Sequence, residues 1–325
     1  MHIFRSAYIR CLKKLKRPTA LSIGNFDGIH KGHQYIFAHL VKFAKTHGAY
    51  ATIICFEPQP KEFFAPKMAP ARITPFRDKM LALKSHGIDQ VLCIRFTQKI
   101  ADACGSTFIQ QVLVDALHVK HIVVGEDFRF GRNRESNYQL LADFGQKYGF
   151  SIDNMGHYCQ GHNRTSSSQI RTLLQHNQFD QASELLGRLY TLSGRVHHGN
   201  KKGRVIGFPT INMPLTVNIP LSGVYVVKIY WQNKCYFGMA NIGIRPTLAG
   251  TKRLLETHIF NFNQDIYGQH VKITFLAFIR PEQKFQGLDA LKAQIKKDQI
   301  RACNWIAKHQ NKQQTPELTI KEDLY

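Results

Sequence analysis

Residues 24–33, GNFDGIHKGH, set two histidines, His30 and His33, three positions apart behind a turn of Gly, Asn, Phe and Asp. Two imidazoles at that spacing can hold a metal ion, pack into a core, or donate hydrogen bonds to one phosphoryl group and stabilise charge developing on it. A catalytic zinc needs a third protein ligand, and none is obvious nearby. The flanking residues favour phosphate. The apolar run TALSIG predicts a strand ending at Gly24, then a tight turn, then a helix opening around His30, whose N–H groups and positive dipole end suit an anion. Gly24 and Gly28 are expected in backbone conformations closed to other residues, and Gly32 leaves no side chain in the way of a ligand.

A second constellation is HHGNKKGRVIGFPTINMP, from His197 to Pro214. It lacks the Gly-x-x-x-x-Gly-Lys-Ser/Thr pattern, but a glycine-rich turn with exposed cations can still wrap a triphosphate through backbone N–H groups. Gly199, Lys202, Gly203, Gly207 and Pro209 are the candidates, with a plain charged hairpin loop as the alternative. Thr210 and Asn212 fall on one face of the expected strand, and both offer hard oxygens suited to Mg²⁺. Ile211 points the other way. The serine-rich TSSSQ at 165–169 reads by itself as a loop or helix cap.

Two kinds of element must position these groups. In the first half TALSIG, YATIICF, QVLCIRF and HIVVG read as strands, while HQYIFAHLVKFAKTHG, FRDKMLALKSHG and STFIQQVLVDALH carry helical spacing. Strand and helix in alternation predict a parallel sheet with helices on its faces, with ligands at the carboxyl ends of the strands. SSSQIRTLLQHNQFDQASELLGR reads as one or two helices. From Leu192 onward GVYVVKIYW, KCYFGMANIG, LETHIFNF and VKITFLAFIR predict an all-β unit, closed by the amphipathic helix of GLDALKAQIKKDQIRACNWIAKH. The boundary is expected near Gly187, giving segments 1–186 and 187–312 and a polar tail at 313–325.

At 325 residues the chain has room for two domains. No run of 18 apolar residues occurs, and the N-terminus lacks the pattern of a secretory signal, so a cytoplasmic location and no membrane partner are expected. Seven scattered cysteines without Cys-x-x-Cys spacing fit reduced thiols, not a disulfide framework or zinc site. The net charge is +22, with 24 basic and 14 acidic side chains in 1–186 and 20 and 8 in 187–325, so no single basic arm accounts for it. Such a field draws polyanions. Without zinc-finger spacing, an RNP-like strand or a heptad-linked basic region, small phosphorylated substrates are the expected partners, ahead of nucleic acid.

GNFDGIHKGH resembles the His-x-Gly-His signature of the nucleotidyltransferase superfamily. In its Gly-x-Phe-Asp-Gly-x-His context it is similar to the prokaryotic bifunctional riboflavin kinase/FAD synthetase family. FEPQPKEFF at 56–64, VVGEDFRFGRNRE at 123–135 and RTSSSQIR at 164–171 agree in order, as do GFPTIN, GVYVVKI at 223–229, GMANIGIRPT at 238–247 and LETHIFNFNQDIYGQ at 255–269. The resemblance implies an α/β fold: a Rossmann-like nucleotidyltransferase domain, then a six-stranded β-barrel riboflavin kinase domain with a C-terminal helix. It implies Mg²⁺-dependent phosphorylation of riboflavin to FMN and adenylylation of FMN to FAD, with ATP as co-substrate.

By resemblance His30 and His33 stabilise ATP phosphates, and Gly24, Asn25, Asp27 and Gly32 shape their site. Arg164, Ser167 and Ser168 hold phosphate from the opposite side, and Phe56, Pro58, Asp127 and Phe128 lie along the flavin. In the kinase half Glu256 is the general base for the ribityl hydroxyl, and Thr210 and Asn212 answer the Pro-Thr-Ala-Asn signature. The family usually has Ser-Ser-Thr at 166–168, and Asp at positions 200 and 261, where this chain has Asn. Two alternatives stay open: a flavin-binding barrel impaired as a kinase, or a basic nucleic-acid-binding protein. A homo-oligomer is compatible with the sequence.

Overall fold

The computed structural model of the protein describes residues 1–5, 17–156, 159–160, 163–199, 203, 207–247 and 250–310. Asn200, Lys202 and the 313–325 tail lie outside the described residues. The chain packs as two compact units, residues 1–70 with 79–167, and residues 71–78 with 168 onward.

The first unit is built on a six-stranded sheet: β1 (His2–Arg5), β2 (Thr19–Ile23), β3 (Tyr50–Glu57), β4 (Gln90–Arg95), β5 (Val119–Gly125) and β6 (Ser151–Met155), in the order β1-β4-β3-β2-β5-β6. Every neighbouring pair is parallel. All five residues of β2 are buried, as expected of a central strand covered on both faces. Its polar Thr19 is satisfied by Leu117 O at 2.9 Å. From β2 the chain moves outward to β3 and β4 on one side, and later to β5 and β6 on the other. The strand order therefore reverses beside β2, which opens a crevice at the carboxyl ends of β2 and β5.

Helices α1 (Lys31–Thr46), α2 (Pro60–Phe64), α3 (Phe76–Ser85) and α4 (Tyr138–Tyr148) accompany these strands. The helix expected over 106–118 forms as an α-turn at 105–108 that widens into π-helix at 109–114. Strands β1 and β6 were not predicted. They are short edge strands with mostly exposed or half-exposed side chains, so no apolar run marks them. A small antiparallel ribbon pairs β7 (Cys159–Gln160) with β8 (Asn163–Arg164).

After α5 (Ser167–Gln175) and α6 (Phe179–Leu186) comes the β-unit: β9 (Thr191–Arg195), β10 (Ile211–Leu215), β11 (Gly223–Trp231), β12 (Lys234–Thr247), β13 (Gly250–Ile259) and β14 (His270–Arg280). They pair antiparallel in the order β10-β13-β12-β11-β14-β9. A bridge between His197 and Asn212 joins the chain just past β9 to β10 and nearly closes the barrel. Tyr225, Leu255, Ile273 and Phe275 fill the interior, where Ile170 and Leu174 of α5 and Phe179 of α6 join the same core. The closing helix α7 (Leu288–Gln310) is tied to β14 by a buried, bidentate Arg280–Asp298 pair at 2.9–3.0 Å from Nε. Among the described residues no helix is long and apolar enough to cross a membrane.

Candidate active sites

The 24–33 segment leaves the carboxyl end of β2 and feeds α1, as its sequence predicts. His30 is the N-cap of α1: its Nδ1 accepts the His33 N–H at 3.4 Å. A ring nitrogen that accepts carries no proton, so the donor of His30 is Nε2. The two imidazoles stack with centroids 3.6 Å apart, and Phe26 meets His33 edge-on at 5.2 Å. Both rings therefore sit over the amino end of α1, where N–H groups and dipole favour an anion.

The turn itself is strained. Phe26, Gly28 and Ile29 have φ of 46°, 88° and 43°, and non-glycine residues rarely adopt such values. Gly28 behaves as expected, but Gly24 does not. It lies outside the left-handed region, and its lack of a side chain matters because a Cβ there would stand 3.1 Å from the Phe26 ring. Asp27 is buried, and its carbonyl accepts the Ser167 hydroxyl at 2.8 Å, which brings TSSSQ to the turn across 140 residues. Ser168 follows in the same helix. Arg164 ends β8, and its side chain lies outside the described residues.

The remaining candidates of this half converge at the same end of the sheet. Phe56 is the last residue but one of β3, Pro58 follows Glu57 through a cis peptide, and Asp127 and Phe128 follow β5 on the other side of β2. Three aromatic residues not singled out in the sequence join Phe56: Phe96 at 5.7 Å, with Phe63 and Phe64 of α2 around it. Phe64 is 63% exposed. A further omission is Lys79, buried in α3, whose Nζ donates to Asn25 O at 2.7 Å. The only sequence trace of it is a lysine beside Met80 and Leu83 on the apolar face of a helix.

The second unit holds a cavity of about 570 Å³ lined by Thr210, Asn212, Glu256, Gly199 and Gly203, with Val224, Met239, Leu291 and Ile295 as apolar walls. Its polar floor is set by strand register. Glu256 on β13 pairs with Asn212 on β10 and with Asn241 on β12, so the three side chains form one cross-strand row. Asn241 was not expected there. Asn212 is buried, and its Oδ1 has no hydrogen-bond partner among the described residues. A Cβ on Gly199 would fall 2.2 Å from Asn212 Nδ2, so glycine is required for that close approach. Ile211 packs on the barrel core, as its alternation predicts.

Gly207 has φ of 85°, and the Pro209 carbonyl accepts from His258 Nδ1 at 2.7 Å. His258 stands two residues past Glu256 on the same cavity wall, and burial holds its pKa below the usual imidazole value. Asn261 occupies the turn after β13 with φ of 52°, a conformation Asn tolerates, and does not line the cavity. Among the described residues no group of three or more His, Cys, Asp or Glu converges as a metal site.

A doubly wound parallel sheet with a strained turn and a helix amino end at its switch point, followed by a barrel with a carboxylate in an amide-flanked cavity, is a two-site architecture suited to phosphoryl and nucleotidyl transfer. Comparison with known proteins agrees in both halves. Residues 12–169 match the FAD synthetase family model and residues 186–306 the riboflavin kinase model. The bifunctional riboflavin kinase/FMN adenylyltransferase of Escherichia coli K12 is 43% identical over 87% of this chain and 91% of its own. That of Haemophilus influenzae is 43% identical over 88% and 93%. A crystal structure described as a macrolide-efflux protein from Streptococcus pneumoniae covers 94% of this chain and 100% of its own, with TM-score 0.75 and 29% identity. The chain belongs to the bifunctional riboflavin kinase/FMN adenylyltransferase family.

Proposed function

We propose that the barrel unit phosphorylates riboflavin to FMN and that the parallel-sheet unit adenylylates FMN to FAD. The observation that supports both together is that each half carries its own phosphoryl-handling constellation inside the segment matched by its own family model. In functional terms residues 1–186 serve the adenylyl transfer, 187–312 the kinase and 313–325 a polar tail. Riboflavin, FMN and ATP are the partners, and the location is the cytoplasm.

In the kinase step the Glu256 carboxylate takes the proton of the ribityl hydroxyl as its oxygen bonds to the γ-phosphorus of ATP, and the bond to the β-phosphate oxygen breaks to release ADP. Gly199, Lys202, Gly203, Gly207 and Pro209 line the triphosphate. The orphaned Asn212 Oδ1, beside the Thr210 hydroxyl in one cavity, is a hard-oxygen pair that fits Mg²⁺. When bound, that ion supplies neutralisation of phosphate charge.

In the adenylyl step an FMN phosphate oxygen bonds to the α-phosphorus of a second ATP and pyrophosphate leaves. His30 Nε2–H and the His33 ring stabilise the charge that gathers on the departing phosphates, assisted by the amino end of α1. Gly24, Asn25, Asp27 and Gly32 shape this site, Arg164, Ser167 and Ser168 bind phosphate, and Phe56, Pro58, Asp127 and Phe128 receive the flavin.

The test incubates purified protein with Mg²⁺ and ATP, supplies riboflavin in one reaction and FMN in another, and separates the flavins by chromatography. FAD from both supports the reading. FAD from FMN alone leaves a barrel without kinase activity, and no FAD from either overturns the proposal.

A further inference from the structure

Lysine is rarely buried without a partner, because removing its charge from water costs several kcal/mol. Lys79 is 1% exposed, and the hydrogen bond it makes is to a neutral main-chain oxygen, Asn25 O, at 2.7 Å. That oxygen belongs to the peptide immediately before Phe26, the first of the left-handed residues in the turn. The peptide is planar, so fixing its carbonyl also fixes the direction of the Phe26 N–H. A second side chain supports the far end of the same turn: Gln34 Nε2 donates to Ile29 O at 2.9 Å. The turn is thus held at both ends, and Lys79 holds the end next to β2. Its charge reaches Cys55 on β3, whose thiol is pushed up by its hydrogen bond with Cys93 and by burial, and opposes that rise.

We propose that Lys79 is a positioning residue of the adenylyl-transfer site, holding the 25–29 turn in the one conformation that aims Asp27, His30 and the amino end of α1 at nucleotide phosphates. The inference rests on the adenylyltransferase reading of that site. Lys79 acts through the Asn25 carbonyl and takes no part in bond making.

The test compares wild type with Lys79→Met, which keeps length and loses the donor, and Lys79→Arg, which keeps a donor. Each full-length protein is measured for FMN adenylylation, for riboflavin phosphorylation as an internal check on folding, and for amide hydrogen exchange across residues 24–30. The Met variant should lose about 100-fold in kcat for adenylylation, with KM for FMN within about threefold, because the turn is displaced while the flavin contacts remain. Exchange across 24–30 should rise while the kinase is unchanged, and the Arg variant should recover to within about tenfold and restore protection. Wild-type adenylylation in the Met variant, or equal loss in both variants with unchanged protection, overturns the proposal. Should the Met variant lose the kinase too, the Arg variant decides: retained protection with a near-normal rate supports the role, and a near-normal rate without protection refutes it. A wild type that makes no FAD from FMN sinks the adenylyltransferase reading, while the exchange measurement still reports on Lys79.

Discussion

In the parallel-sheet unit the proposed chemistry sits on a turn; in the barrel it sits on a row of paired strands. The turn uses backbone strain and a helix end: three left-handed residues, an N-cap imidazole and a stacked partner within ten residues. The row uses register, because Asn212, Glu256 and Asn241 face one cavity only while β10, β13 and β12 stay aligned. Both are proposed to handle phosphate, yet they depend on different things. A turn fails when its supports are released. A row fails when one member is removed or displaced.

The largest expected effect isolates the row. Glu256→Gln should lower riboflavin phosphorylation by about 10²–10⁴, the range for a lost general base, and leave FAD formation from supplied FMN intact. Equal loss of both activities would mean that the two halves are not chemically separate. Next, His33→Ala should lower FMN adenylylation by about 10²–10³ with an unchanged kinase, measured as FAD formed from FMN. A barely altered rate would move the phosphate site away from the end of α1.

Gly199→Ala probes the close approach under Asn212. The added methyl should displace the amide and cut the kinase by about tenfold through a higher ATP requirement, with little change in melting temperature. An unchanged kinase would show that Asn212 does not need its present position.

The smallest effect concerns stability. His121 on β5 stacks on Phe43 at 3.9 Å and contacts Ser151 and Asp153, and burial lowers its pKa although Asp153 opposes that. A depressed folded-state value means that the neutral ring's contribution is fully present above about pH 6.5 and is lost as pH falls through the folded value. Denaturant unfolding between pH 7.5 and 5 should show the first unit losing more stability in wild type than in His121→Gln. Identical slopes would refute it.

How much was legible follows the same division. GNFDGIHKGH could be read because a strand, a turn and a capped helix are local patterns, and the barrel strands because β-branched and aromatic runs between turns are local too. Gly24 was misread because glycine in a turn suggests left-handed backbone, whereas its constraint is the Phe26 ring, a contact made only after folding. That Asn261 falls in a turn, with φ of 52°, was likewise not legible, since its place is set by where β13 ends.

Periodicity in the sequence carried the two-unit plan, and the order of its motifs carried the family resemblance and the choice of candidate residues, since each is held by neighbours in the chain. The tertiary structure alone decided that Ser167 reaches Asp27, that Asn241 flanks Glu256, that Asn212 keeps an orphaned oxygen and that Lys79 is buried beneath a strained turn. Those facts depend on register and on contacts between residues tens to more than a hundred positions apart, and no local pattern encodes a partner at that distance.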